Sequence, residues 1–310
     1  MDAVRVLYLG GLERSGTTLV ERAIGELPGV VPAGEVVHLW QRGLRDGERC
    51  ACGEPFGRCP FWEAVGERAF GGWRNVNAER MLELAHVVDR TRFLPGLALR
   101  HWADRHRLQM REYTGYYVRL YRAVRDETGS QVVLDASMQA SLAYCLSHDP
   151  EIDVRVLHVV RDSRAVAQAW AEQAGGVTEG GGTPHFSPGR TAMLWNAHNA
   201  AFSVLEPGTS RAQVMRVQYE NFVADPVDTI RAVARFAGLT LQPGDLEYLS
   251  SSSVRVGPCH SAAGDATRFR TGELAIGQDD AWRTVMPDAQ RRLVGALTAP
   301  LLVGYGYPVD

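Results

Sequence analysis

Apolar and polar positions along the chain follow two alternating periods. Val4 to Leu9 is a short, β-branched apolar run that stops at Gly10-Gly11, as a buried parallel strand would. A helical period follows from about Gly16 to Glu26 and ends before Pro28-Gly29. Val30 to Pro32 is a second extended piece, and Glu35 opens an amphipathic stretch to about Leu44. Residues 45–72 read as an irregular insertion rich in Gly and Cys, and helical patterns then cover about Ala78–Val88 and Arg111–Glu127. Beyond Gly129 the strand period returns at Gln131–Asp135 and Val154–Val160, with a helix between them and another over Ser163–Ala174. Residues 175–189 carry six Gly and two Pro, the composition of a mobile loop and a candidate acceptor lid. A helix over 190–205, a strand over 212–217 and a helix over 226–237 continue the β-α alternation. That order predicts an α/β fold with a central, mostly parallel sheet and helices on both faces. No linker separates two cores, so one domain over 1–310 is expected.

Composition narrows the classes. The 310 residues are 45% hydrophobic and 22% charged, as for a globular enzyme, and the net charge of −3 argues against nucleic-acid binding. No apolar run approaches the roughly 18 residues of a membrane span, and the N-terminal residues lack the pattern of a signal peptide. A cytoplasmic protein without membrane association is expected. All 33 basic residues counted as Lys or Arg are Arg. Anion sites must therefore use guanidinium groups, backbone amides and helix ends, and no lysine amine can donate a proton. A basic stretch (Arg100, Arg105, Arg107, Arg111, Arg119, Arg122, Arg125) reads as a solvated or subunit-contacting face, which leaves a homo-oligomer open. Five Cys do not form a disulfide framework in such a chain. Cys50, Cys52 and Cys59 cluster, but the spacing is not CxxC and the only histidine nearby is His38. Reduced thiols in a folded insertion, and no metal, are the expectation.

The strongest chemical signal joins the first strand to the first helix. Gly11-Leu12-Glu13-Arg14-Ser15-Gly16-Thr17-Thr18 has the frame of a Walker A loop, with Thr17 where the Lys would stand. Such a loop turns backbone N–H groups toward one point at a helix N-terminus, and Arg14 adds a fixed positive fork. A P-loop-like three-layer fold follows. The missing Lys disfavours an ATP-dependent phosphotransferase, whose magnesium would have only Asp135 as an acidic strand end. The second signal is His158-Val-Val-Arg161-Asp162-Ser163-Arg164, which sets Arg161 at the carboxyl edge of the sheet. The alternative is an Arg–carboxylate pair with Asp162 capping the following helix. Two anion sites on neighbouring strands imply a ligand with two separated anionic groups.

These residues resemble the PAPS-dependent sulfotransferase superfamily, particularly its bacterial and tyrosylprotein branches. The resemblance rests on Arg14-Ser15-Gly16-Thr17-Thr18, on Val160–Arg164, on Gln218–Pro226 with Tyr219-Glu220, and on Gly264–Gly272 with Arg268. It implies 3′-phosphoadenosine 5′-phosphosulfate (PAPS) as donor, adenosine 3′,5′-bisphosphate (PAP) as product, no metal, and a small-molecule hydroxyl as acceptor. By position Arg14, Ser15, Gly16, Thr17 and Thr18 would hold the 5′-phosphosulfate. Arg161 and Ser163 would form the 3′-phosphate element, Tyr219 the adenosine side, and Arg268 a second 3′-phosphate contact. Glu35 lies 21 residues after Arg14, the offset of the catalytic Glu in the tyrosylprotein branch. Glu35 would then be the general base, with Arg14 stabilising the leaving group and His38 the fallback base. The chain departs from the family pattern at Met138, where relatives carry Lys nearby, at Ala169 in place of Ser, and at Asp265 in place of Asn.

Overall fold

The computed structural model describes residues 2–91, 104–175, 186–205, 211–277 and 279–309. In chain order the first elements are β1 (Val4–Gly10), α1 (Thr17–Gly25) and β2 (Val30–Gly34), then α2 (Pro60–Phe70), α3 (Ala78–Val88) and α4 (Asp104–Thr128). Next come β3 (Val132–Met138), α5 (Ala140–Ser147), β4 (Ile152–Val160), α6 (Ser163–Gly175), α7 (Pro188–Ala201) and β5 (Gln213–Gln218). The remainder comprises α8 (Tyr219–Ala224), α9 (Pro226–Phe236), β6 (Ser253–Val256), β7 (Gly272–Ala275), α10 (Trp282–Val285) and α11 (Asp288–Gly304).

Five strands form one sheet in the order β2-β3-β1-β4-β5, and all their pairings are parallel. Side chains alternate across a strand, so each central strand feeds two cores. Val4, Val6 and Tyr8 of β1 join Tyr113, Tyr117 and Tyr121 of α4 on one face. Leu7 and Leu9 join Val20 and Ile24 of α1 and Ile230 and Val233 of α9 on the other. The three tyrosines recur every four residues, which turns one stripe of α4 inward.

Connections decide where the site falls. From β1 the chain crosses to the sheet edge at β2, whereas from β3 and β4 it moves the other way. Strand order therefore reverses around β1, and the crevice above its carboxyl end is where open α/β sheets take ligands.

Several boundaries differ from expectation. The stretch opened by Glu35 is a 3₁₀ turn, Val36–His38, followed by a π-helical segment, Leu39–Arg45. Residues 45–72 are less irregular than their composition suggests, because Pro60 at the first turn starts α2. The antiparallel pair β6–β7 and the long α11 were not anticipated. Of the expected glycine-rich loop, residues 176–185 lie outside the described residues, as does Arg100. Two members of the basic stretch are spent locally: Arg122 pairs with Glu151 at 2.8 Å, and the Arg119 guanidinium lies over Tyr116. Among the described residues, no helix is long and apolar enough to cross a membrane.

Candidate active site

The turn after β1 is shaped by backbone strain and close packing. Arg14 has φ 70 and Met138 at the end of β3 has φ 63, both left-handed values that cost a side-chain-bearing residue about 1 kcal/mol or more. Gly16, at φ 81, caps the start of α1, and a Cβ there would meet the Tyr219 ring at 2.2 Å. Glycine is thus required twice over, by conformation and by the aromatic wall. The Ser15 amide donates to the Leu12 carbonyl at 3.0 Å, which closes the turn.

A cavity of about 510 Å³ opens above this loop, and the ends of four strands supply its walls. From the β1 turn come Glu13, Arg14, Gly16, Thr17 and Thr18; from the end of β3, Met138; from the end of β4, Arg161. Glu35, one residue past β2, faces the same space with Arg42. Gly264, Asp265 and Thr267 close one side and Asp279 another. Met138, Ala169 and Asp265, the three departures from the family pattern, all line this cavity. Thr17 donates its hydroxyl to Met138 Sδ at 3.4 Å, a weak bond that a better acceptor could displace.

Charges within the cavity are balanced closely. Three guanidiniums (Arg14, Arg42, Arg161) share it with four carboxylates (Glu13, Glu35, Asp265, Asp279). Arg161 is nearly buried and lies over the Tyr219 ring at 5.1 Å. One of its nitrogens donates to the Arg14 carbonyl at 3.0 Å, and the other to Asp279 Oδ2 at 2.8 Å. The alternative reading, an Arg–carboxylate pair with Asp162 capping the helix, is met with Asp279 as the carboxylate. Asp162 accepts the Arg164 amide at 2.8 Å and pairs with the buried Arg164 side chain, which caps α6. The Asp162 amide donates to Glu220 Oε1 at 3.0 Å, and Tyr307 donates to Glu220 Oε2 at 2.6 Å. Glu220 therefore shapes the turn that presents Arg161.

Glu35 is largely buried, with 16% of its side chain exposed. Burial pushes its carboxyl up to about 7 against the pull of nearby Arg42, and Glu13 adds to the rise. Arg42 Nη1 stands 3.9 Å from Glu35 and Nη2 donates to Glu48 at 2.7 Å. His38 Nε2 lies 3.6 Å from the Glu35 carboxylate, too far for a hydrogen bond. Burial first, and then the Arg42 charge, holds His38 below its ordinary value, so it is neutral at pH 7. Asp265 is held below the usual carboxylate range. Burial works against this, but Thr267 donates to it from both amide and hydroxyl, and Arg14 and Arg268 lie near.

Two expected ligand residues lie elsewhere. Ser163 is fully buried and its hydroxyl is bonded to Thr298 at 2.7 Å, so its side chain faces α11 and not the cavity. Arg268 is also buried, bonded to Glu48 and to the Gly264 and Arg49 carbonyls. It pins the loop carrying Asp265, with its terminal nitrogens turned to Glu48 and the Gly264 carbonyl. Asp135, the acidic strand end that the sequence offered to a magnesium ion, accepts bonds from Tyr121 and Ser137 deep in the core. Arg42, Glu48 and Asp279 were missed by sequence reasoning. Arg42 stands seven residues after Glu35, a helical-face offset that was legible, whereas Asp279 carries no local signal.

A strand–loop–helix anion cradle, a second cationic site on the adjacent strand and a raised carboxyl define a group-transfer site of the P-loop type. Residues 153–243 match the model of the Sulfotransferase family. Human carbohydrate sulfotransferase 6 is 30% identical over 177 residues, covering 53% of this chain and 44% of that protein. Mouse carbohydrate sulfotransferase 5 is 29% identical over 177 residues, covering 53% and 44%. The chain thus spans less than half the length of these relatives. These matches, each over about half of the chain or less, are to sulfotransferases. The fold agrees with the sulfotransferase domain from the curacin biosynthetic pathway (TM-score 0.54, 12% identity, 100% of each chain). It also agrees with mouse sulfotransferase SULT7A1 complexed with PAP (TM-score 0.51, 11% identity, 99% and 91%).

Proposed function

We propose that the protein transfers a sulfuryl group from PAPS to a hydroxyl of a small-molecule acceptor. One observation carries the reading: Glu35, its carboxyl pushed up to about 7, shares a cavity with Arg14, Thr17, Thr18 and Arg161. A base with that value is half-charged at neutral pH and strong enough to accept a hydroxyl proton as the bond forms. The acceptor oxygen bonds to sulfur while the bond from sulfur to the bridging phosphate oxygen breaks. The proton passes to Glu35, and PAP departs with the electron pair. Arg14, the loop amides and the α1 N-terminus stabilise the leaving charge, so the absence of any Lys leaves the step intact. Arg161 would take the 3′-phosphate and Tyr219 the adenosine side. Ser163 could contribute only through its backbone, and Arg268 by positioning Asp265. His38, neutral and 3.6 Å from Glu35, is a positioning neighbour and the fallback acceptor of the proton.

A second reading of the acceptor is a sugar hydroxyl. The matched relatives are carbohydrate sulfotransferases by name, and only Leu19, Met138 and Ala169 are apolar among the lining side chains. Incubation with PAPS and parallel panels of phenols and sugars, followed by mass spectrometry, tests both. One added sulfuryl group on any acceptor supports the proposal, and the panel that reacts chooses between the readings. Binding of PAP without transfer to any acceptor would mark a catalytically degenerate relative. Binding of ATP with magnesium but not of PAP, by calorimetry, would restore the phosphotransferase reading.

A further inference from the structure

Cys50, Cys52 and Cys59 meet His260, which lies 201 residues beyond Cys59 and which nothing in the local sequence links to them. Their four ligand atoms lie within 4.8 Å of one another. Cys59 Sγ is 3.6 Å from Cys50 Sγ and 3.6 Å from Cys52 Sγ. His260 Nδ1 is 3.3 Å from Cys59 Sγ and 3.7 Å from Cys50 Sγ. A tetrahedron built on zinc–sulfur bonds of about 2.3 Å and zinc–nitrogen bonds of about 2.05 Å puts sulfurs about 3.8 Å apart and sulfur from nitrogen about 3.5 Å. The four measured separations fall within a few tenths of an ångström of those edges. Disulfide bonding explains the cluster less well, because it would strand one of the three thiols and bring two sulfurs to about 2.05 Å.

We propose that these residues form a Cys₃His zinc site, structural because all four positions are filled by protein. The soft donor set selects zinc over magnesium or calcium. Supporting contacts orient His260. Phe61 stacks on the His260 ring with centroids 4.9 Å apart, and Trp62 donates its indole N–H to the His260 carbonyl at 2.8 Å. Cys52 is exposed and leaves an entry path for the ion.

The metal ties the 50–59 turn to the segment that carries the cavity's far wall. The Ala51 amide donates to the Ser261 carbonyl, the Ala262 amide to Ala33, and the Glu35 amide to Ala263. The site thereby fixes the strip against which Glu35 and Gly264 are set.

Metal analysis of the full chain, purified and reconstituted with Zn(II) under reductant, should find about one zinc per chain. Replacement by Co(II) should give the ligand-field bands of a tetrahedral site together with thiolate charge transfer. Cys52→Ser, the exposed ligand, should weaken zinc retention at least about tenfold against a chelator, while Cys145→Ser should leave it unchanged. Negligible zinc after reconstitution, an octahedral Co(II) spectrum, or a disulfide among Cys50, Cys52 and Cys59 in the reduced preparation would each overturn the assignment. The wild-type Co(II) spectrum needs no variant to fold.

Discussion

The two sides of the cavity are built by different means. The anion side is carried by the sheet itself: its groups sit at the ends of paired strands, and the loop after β1 is held by its own turn, by Gly16 and by Tyr219. The base side is assembled from afar. Glu35 is fixed through Ala263 and Glu48 through Arg268, segments more than 200 residues apart, and Glu48 in turn holds Arg42. A side carried by the sheet tolerates change elsewhere in the chain. One assembled from distant segments transmits it.

The largest effect should come from the base side. Glu35→Gln keeps shape and burial but removes the proton acceptor, so turnover should fall about 10²–10⁴-fold with PAP affinity nearly unchanged. Single-turnover assay and calorimetry separate the two quantities. Turnover within a few-fold of wild type would pass the role to His38 or to no side chain. On the anion side, Gly16→Ala brings a Cβ to 2.2 Å from the Tyr219 ring at a φ that L residues rarely adopt. PAP affinity should fall about 10–100-fold, the cost of displacing the ring and loop together. Calorimetry checks this, and unchanged affinity would show that the loop's shape is not what binds the anion.

The same contrast explains what could be read from the chain. The sheet, α1, α3, α6 and the loop around Arg14 were legible because period and loop chemistry are local properties. The fourth ligand of the cysteine cluster was not, since His260 differs from a surface histidine only in the fold. Ser163 and Arg268 were assigned by resemblance, and packing redirected both: Ser163 onto Thr298, Arg268 onto Glu48. Arg161 was located correctly at the sheet edge, but its partner Asp279 lies 118 residues away.

A pH profile sharpens the comparison further. The Glu35 carboxyl, pushed up to about 7, is neutral below that pH and must be charged to accept a proton. The rate kcat/KM should therefore fall tenfold per pH unit below about 7 and level off above it. Donor anions bound nearby favour the neutral form, so the inflection in kcat should lie higher than that in kcat/KM. Removing Arg42, which opposes the rise, should move both inflections upward. A profile flat between pH 5 and 8, estimated as the window spanning about 7 by one to two units, would exclude Glu35 as the titrating base.

The smallest effect concerns Asp279. Its carboxylate holds Arg161 at 2.8 Å while its side chain remains half-exposed. A 3′-phosphate that takes Arg161 must displace this carboxylate, and the two anions would repel if both stayed. Asp279→Asn removes the competitor and should tighten PAP binding, by only about two- to five-fold because a pair with one half-exposed partner is weak. The gain should shrink as salt screens the pair. Weaker binding in the variant would mean that Asp279 orients Arg161 for the phosphate and does not compete with it. The anion side would then depend on a remote segment much as the base side does.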